Sequence, residues 1–295
     1  MEFDGIITVE NLIFFAGCAI FACWVRKTSL GRKSLADSVP RRNNMPLYLP
    51  FIPLFIWFGI VTLITSIAKV LLSNLQDWQN DFLDNLILGI SELSAIAVII
   101  FLAKIHFTRR LKGFGLNIKT IVKDFFAAIV NLLAVWPLIV SAMVITIYVG
   151  GLVWGREYEM QQHQQLKLIT EHSQLLSRIL IVVVAVIIVP LLEEMLFRGL
   201  FQTTIRSYFE AFRSLFASPN KAEEERTTDS NGAWPAIVIS SGLFTMTHAN
   251  AGHWPALFVL GVCMGYAYEK SGSLFRPIFI HSFFNAISII ATLNQ

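Results

Sequence analysis

Residues 179–200 read ILIVVVAVIIVPLLEEMLFRGL, and this stretch decides the fold class. An unbroken apolar run from Ile179 ends on two adjacent carboxylates, Glu193 and Glu194, with Arg198 one helical turn further on. Such a run suits a bilayer crossing, and a charge at bilayer depth costs about 2.5–3.5 kcal/mol even on the lenient insertion scale. Charges placed there need a purpose. Composition agrees with a membrane setting: of 295 residues, 55% are hydrophobic and only 15% charged, against about 25% in a typical soluble domain. A net charge of +3 without any basic aromatic stripe argues against nucleic acid as a partner. Cys18, Cys23 and Cys263 fall inside apolar runs without a CxxC pair. They read as small buried residues, with no disulfide framework or thiolate zinc site.

A spanning helix needs roughly 17–25 mostly apolar residues. Eight segments qualify as candidates: Ile6–Val25, Leu47–Leu72, Leu86–Phe107, Phe125–Trp154, Ile179–Gln202, Trp234–Ala249, Trp254–Tyr268 and Pro277–Leu293. The last two are short, and Trp254–Tyr268 is interrupted by Gly261 and Gly265, so seven crossings remain open. The fold class is therefore all-α, a polytopic membrane helical bundle of about eight spans. Pro50, Pro53, Pro137 and Pro190 predict local kinks. Lys and Arg collect at 26–42 and again at 109–123, which sets both loops in the cytoplasm, whereas the Asp77, Asp81 and Asp84 loop carries no basic residue. The N-terminus then lies outside and the polar 203–233 loop inside, with the helix-like, amphipathic piece TTIRSYFEAFRSLFA expected at the cytoplasmic interface. The first segment lacks a basic n-region, so it is expected to stay as an anchor. The expected location is the plasma (inner) membrane.

Helical spacing divides the work among the charges. Glu194 and Arg198 stand at i and i+4, share a face and can pair. Glu193 points about 100° away, toward the bundle interior and without a local partner. An unpaired interior carboxylate suits proton transfer. Further along, GLFTMTHAN sets Phe244 and His248 four apart, and HSFFNA does the same for His281 and Asn285. Three apolar helices thus deliver Glu, His, and His plus Asn into a bilayer, where such groups are functional by default. A polar packing cluster without catalysis is the plainer alternative. Glu92 stands mid-span as a second proton site or a cross-helix hydrogen bonder. Asn131 reads as an interhelical hydrogen bonder, Asn250 and His253 as interfacial loop residues, and Gly261 with Gly265 as a close-packing GxxxG. If all helices are upright, His248 lies about 21 Å along its helix from Trp234, but Glu193 only about 14 Å from Gln202. Some tilt, extension or offset must bring them level.

EEMLFR, FTMTH and HSFFN match the patterns EExxxR, FxxxH and HxxxN, and GSLFRPIFIHSFFN matches the usual approach to the last of them. In this order the motifs resemble those of the CPBP intramembrane proteases. That family, also called ABI, includes CAAX prenyl endopeptidases and bacteriocin-processing or self-immunity proteins. The resemblance covers roughly Ile179–Ala291; the earlier spans are only generically similar. It implies that Glu193 is the general base for a water, with His248 as its partner. It implies that His281 and Asn285 stabilise the oxyanion, and that Glu194, Arg198 and Phe244 support the site. No Ser or Cys falls in a matching motif, which favours direct attack by water.

The chain is expected to divide into residues 1–178, four N-terminal spans of a single membrane domain, and 179–295, the catalytic core. The expected activity is hydrolysis of membrane-associated substrates, either CAAX-type prenylated tails or peptide and bacteriocin precursors, at a site open to the cytoplasm. Its partners are then a membrane-embedded or lipidated substrate and the lipid bilayer. The alternatives are a non-proteolytic scaffold or self-immunity protein, and a proton-coupled transporter relaying through Glu92, Glu193 and His248. No cofactor is expected. Zinc is the alternative, held by Glu193, His248 and His281, although the HExxH spacing that pins two ligands on one helix is absent.

Overall fold

The structure, a computed structural model, describes residues 8–38, 40–72, 74–155, 158, 164–171, 174–216 and 232–293. The start of the first predicted segment and most of the acidic insert AEEERTTDSNG lie outside them. Six helices come first: α1 (Val9–Lys27), α2 (Phe51–Leu71), α3 (Asp77–His106), α4 (Arg110–Phe114), α5 (Ile121–Trp154) and α6 (Gln164–Glu171). A continuous rod follows, made of α7 (Leu175–Val183), α8 (Val189–Glu194) and α9 (Thr203–Phe216), joined by π-helical turns at Val184–Ile188 and Met195–Gln202. Then come α10 (Ala233–Met246), α11 (Trp254–Ser271) and α12 (Phe275–Leu293). Among the described residues the only strand-like pairing is an antiparallel bridge between Asn43 and Phe107.

This is an all-α membrane bundle. Among the described residues, five helical stretches are long and apolar enough to cross a bilayer: Phe51–Leu71, Asp77–His106, Ile118–Trp154, Leu175–Arg213 and Phe275–Leu293. The other three predicted segments coincide with α1, α10 and α11. With 14 residues, α10 is about 21 Å long, short of a hydrocarbon core of about 30 Å. The rod packs against α3, α10, α11 and α12, while α5 holds α1, α11 and α12 together and α2 leans on α3. One apolar core joins them, with Ile99, Leu196, Phe197, Phe244, Leu260 and Ile280 buried. Large apolar side chains such as Phe55, Leu63, Val70, Tyr148 and Leu152 point outward. A soluble monomer rarely exposes so much; here it is the lipid face.

Several expectations need correction. Thr203–Phe216, expected as a helix-like amphipathic piece, is helix α9, but it continues the rod without a break and buries Thr203, Thr204 and Arg206. This extension removes the mismatch in depth. Gly232, at the start of α10, lies against Phe209 and Glu210, and twelve residues later Phe244 meets Phe197 with ring centroids 5.6 Å apart. Pro50 is the N-cap of α2 and Pro53 sits in its first turn, so neither kinks a helix interior. Proline is tolerated there because first-turn N–H groups have no intrahelical acceptor. Ahead of the rod, α6 packs Ile169 against Ile181, Ala185 and Ile289. The three cysteines are free, but Cys23 is exposed on the outer surface and Cys18 and Cys263 are half-buried.

Candidate active site

Glu193 and Glu194 occupy the last two positions of α8, and Arg198 lies one turn on in the π-helical segment. All three are buried. Arg198 Nη1 donates to Glu194 Oε1 at 2.8 Å, Nη2 donates to the Gly261 carbonyl at 3.0 Å, and the guanidinium carbon stands 4.6 Å over the Phe244 ring. The ion pair read from the i, i+4 spacing is present. His281 comes in from α12, its Nδ1 at 3.1 Å from Glu194 Oε1. An ionised carboxylate only accepts, so Nδ1 carries the proton in this contact and Nε2 faces Glu193. Nε2 stands 3.7 Å from Glu193 Oε2, and that oxygen has no hydrogen-bond partner among the described residues. Glu193 is therefore the carboxylate held back from its neighbours.

His248 lies two residues past the end of α10. Its Nδ1 is 3.0 Å from the Phe244 carbonyl, an acceptor, which fixes the proton on Nδ1 and leaves Nε2 a free lone pair. The Phe244 ring separates the two imidazoles, 4.9 Å from that of His248 and 5.6 Å from that of His281. Asn285 is anchored elsewhere: its Nδ2 donates to the Ala185 carbonyl at 2.8 Å. The local sequence explains why that carbonyl is free. Val184–Ile188 is π-helical, so Ala185 would be served by the N–H of residue 190, and residue 190 is proline. A carboxamide nitrogen has two N–H groups, and one of Asn285's remains for another acceptor. The fold thus gathers Glu193, Glu194, Arg198, Phe244 and His281 tightly, with His248 and Asn285 at the flanks. Asn250 and His253 form the short turn before α11, in keeping with a loop assignment.

Sequence spacing presents the GxxxG only as a packing device. Gly261 and Gly265 also present bare carbonyls to the rod, to Arg198 Nη2 and to Gln202 Nε2, each at 3.0 Å. Donors four apart on one helix meet acceptors four apart on the other. Gln202 goes on to bond Glu269 Oε1 at 3.0 Å and to accept from Ser240 Oγ at 3.2 Å. Glu269 pairs closely with Arg206, whose Nη2 reaches the Ser38 carbonyl at 3.0 Å. An added Cβ at Gly265 would lie 2.7 Å from Gln202 Oε1 and 3.0 Å from Ile237 Cγ2. Gly265→Val is therefore expected to cost about 1–3 kcal/mol or more by overpacking. A thermal unfolding midpoint equal to wild type would show that the two helices do not depend on this contact.

Glu92 is fully buried on α3, which packs along α7, α8 and the first π turn. It lies within electrostatic reach of Glu193, and neither of its oxygens has a hydrogen-bond partner among the described residues, so no cross-helix bond forms. The Asn131 side chain likewise makes no interhelical bond; its backbone carbonyl accepts from Cys263 Sγ at 3.8 Å. As for zinc, no group of three His, Cys, Asp or Glu side chains among the described residues is arranged to hold a metal. Glu193, His248 and His281 as they stand do not fit a zinc set.

Residues 175–287 match the family model described as Rce1-like, type II CAAX prenyl endopeptidase. The matched segment begins at the first residue of the rod, runs into α12, and contains all three motifs. No curated protein and no solved structure matches the chain.

Proposed function

We propose that this chain, whose residues 175–287 match the Rce1-like CAAX prenyl endopeptidase family model, cleaves prenylated CAAX-type tails with a water activated by Glu193. The observation that carries the reading is Glu193 Oε2: buried, without a hydrogen-bond partner among the described residues, and 3.7 Å from His281 Nε2. A water near this oxygen gives it a proton while its oxygen attacks the scissile carbonyl carbon. The resulting oxyanion accepts from the spare N–H of Asn285. When the C–N bond breaks, Glu193 returns the proton to the leaving amine. The His248 lone pair on Nε2 accepts from the same water and orients it. Glu194 and Arg198 keep His281 and the helix in register. Peptide or bacteriocin precursors are the alternative substrate class.

The test is quantitative proteomics of membrane-released peptides from cells carrying wild-type or Glu193→Gln protein. Peptides lost with the variant name the substrate, and identical profiles overturn the reading. The mechanism proposed uses no metal. Activity of the purified protein is expected to survive exhaustive chelation, and metal analysis to find less than stoichiometric zinc. Activity lost on chelation and restored by zinc would overturn this and make the two histidines and Glu193 ligands.

The site is proposed to open toward the cytoplasm, following the Lys and Arg bias. A reporter fused near Asn231 is expected to behave as cytoplasmic and one near Gln164 as extracytoplasmic, in the plasma membrane. The reversed pattern would turn the site to the other face.

A further inference from the structure

At the far end of α3 from the Asp77 loop, the chain folds a basic cavity of about 410 Å³ that the proposed cleavage does not use. Arg42, Lys104, His106 and Arg110 line it together with Asn44 and Thr108, and no acidic residue does. Among the described residues, Arg42, Lys104 and Arg110 have no carboxylate partner. Arg42, Lys104 and Arg110 are exposed around an open hollow, so water screens their mutual repulsion in part, and an anion among them relieves the rest.

The hollow is built, not incidental. The strand-like segment before α2 is tied to the end of α3 by Asn44 N to His106 O at 3.2 Å and by Thr108 N to Arg42 O at 3.2 Å. His106 Nδ1 meets Asn44 Oδ1 at 3.0 Å, and Asn43 Nδ2 donates to Ser207 Oγ of the rod at 2.9 Å. The turn from Phe107 to Arg110 is closed by Arg110 N to Phe107 O at 2.8 Å, with Arg110 at φ +50°. A bulky residue in the left-handed region is held there by its surroundings. The turn sends the chain back so that Arg110 joins Lys104, six residues earlier, on the same hollow.

Its depth in the membrane follows from what flanks it. Phe101 and Ile105 on α3, and Leu47 and Tyr48 before α2, are exposed apolar or amphipathic side chains that adjoin the basic groups. Lipid-facing surface therefore runs up to the rim of a polar, positive cavity, which is headgroup level.

We propose that this cavity binds a phosphate group, and that the phosphate is carried by an anionic phospholipid. Arg42 and Arg110 supply planar forks for its oxygens and Lys104 a point charge, while the acyl chains lie along Phe101 and Ile105. The site does not depend on the cleavage reading and stands or falls by itself.

The test uses the full chain in detergent, titrated separately with phosphatidylglycerol, phosphatidylcholine of the same chain length, and inorganic phosphate. Native mass spectrometry reads bound lipid and the thermal midpoint reads stabilisation. The expected result is one retained phosphatidylglycerol, bound at least about tenfold more tightly than phosphatidylcholine. Inorganic phosphate is expected to compete for it only weakly. The triple variant Arg42→Gln/Lys104→Gln/Arg110→Gln is expected to lose about 100-fold in phosphatidylglycerol affinity. The charge-keeping Arg42→Lys/Arg110→Lys is expected to fold as wild type and retain most of the binding. Equal retention of the two lipids, or phosphatidylglycerol binding unchanged in the triple variant, overturns the site. Inorganic phosphate binding as tightly as phosphatidylglycerol overturns the lipid as its source.

Discussion

Glu193→Gln is expected to abolish peptide cleavage while leaving the fold at wild-type stability. Gln is nearly isosteric with Glu but has no basic oxygen, and positioned acid–base groups typically contribute about 100- to 10,000-fold. The loss should lie in that range or beyond, because in the proposed mechanism the same carboxylate both takes the proton from water and returns it to the amine. Stability should hold because Oε2 of Glu193 bonds nothing among the described residues, and His281 Nε2 is 3.7 Å away, beyond hydrogen-bond distance. Cleavage rate per folded molecule and thermal midpoint are the two readouts. A Glu193→Gln protein that cleaves normally, beside a Glu194→Gln protein that folds well and is dead, would mean the two glutamates have exchanged roles.

Glu194→Ala is expected to fail in the other way, by losing the fold. Glu194 Oε1 accepts from Arg198 and from His281, and both Glu194 and Arg198 are wholly buried. Removing the carboxylate strands a buried guanidinium whose Nε already lacks a partner among the described residues. Breaking a buried pair by deleting one member costs about 3–5 kcal/mol. Folded yield should therefore collapse, and activity with it. The double variant Glu194→Leu/Arg198→Met removes both charges at similar volume and is expected to recover most of the yield but none of the activity. Recovery of activity in the double variant would reduce the pair to packing. Normal yield of Glu194→Ala alone would show that Arg198 finds another partner.

The two glutamates are distinguishable in the sequence because one helical turn is a local rule. Glu194 and Arg198 meet at i and i+4 whatever surrounds them, and Glu193 must then face another way. The ladder from Arg198 and Gln202 to Gly261 and Gly265 spans more than sixty residues in sequence, and a spacing rule along one chain says nothing of the register between two helices. The anchoring of Asn285 is hidden for a different reason. It depends on a π-helical turn that orphans the Ala185 carbonyl opposite Pro190, whereas the pattern of residues 179–190 is uniformly apolar and shows no period at all. The same uniformity helps elsewhere: it makes the rod's start easy to find. Its end escapes sequence reasoning because Thr203, Thr204 and Arg206 read as part of an amphipathic piece lying at the interface, yet each buries its polar atoms against α11 or the N-terminal segments.

The most direct measurement is single-turnover cleavage by purified protein in liposomes. The substrate is a peptide with a farnesylated Cys followed by three residues, and its products are read by mass spectrometry. The expected result is release of the intact tripeptide by wild-type protein, no release by Glu193→Gln at the same folded amount, and no release from the same peptide lacking the prenyl group. Equal release by wild type and Glu193→Gln, or none by a well-folded wild-type protein, would contradict glutamate-dependent CAAX endopeptidase activity.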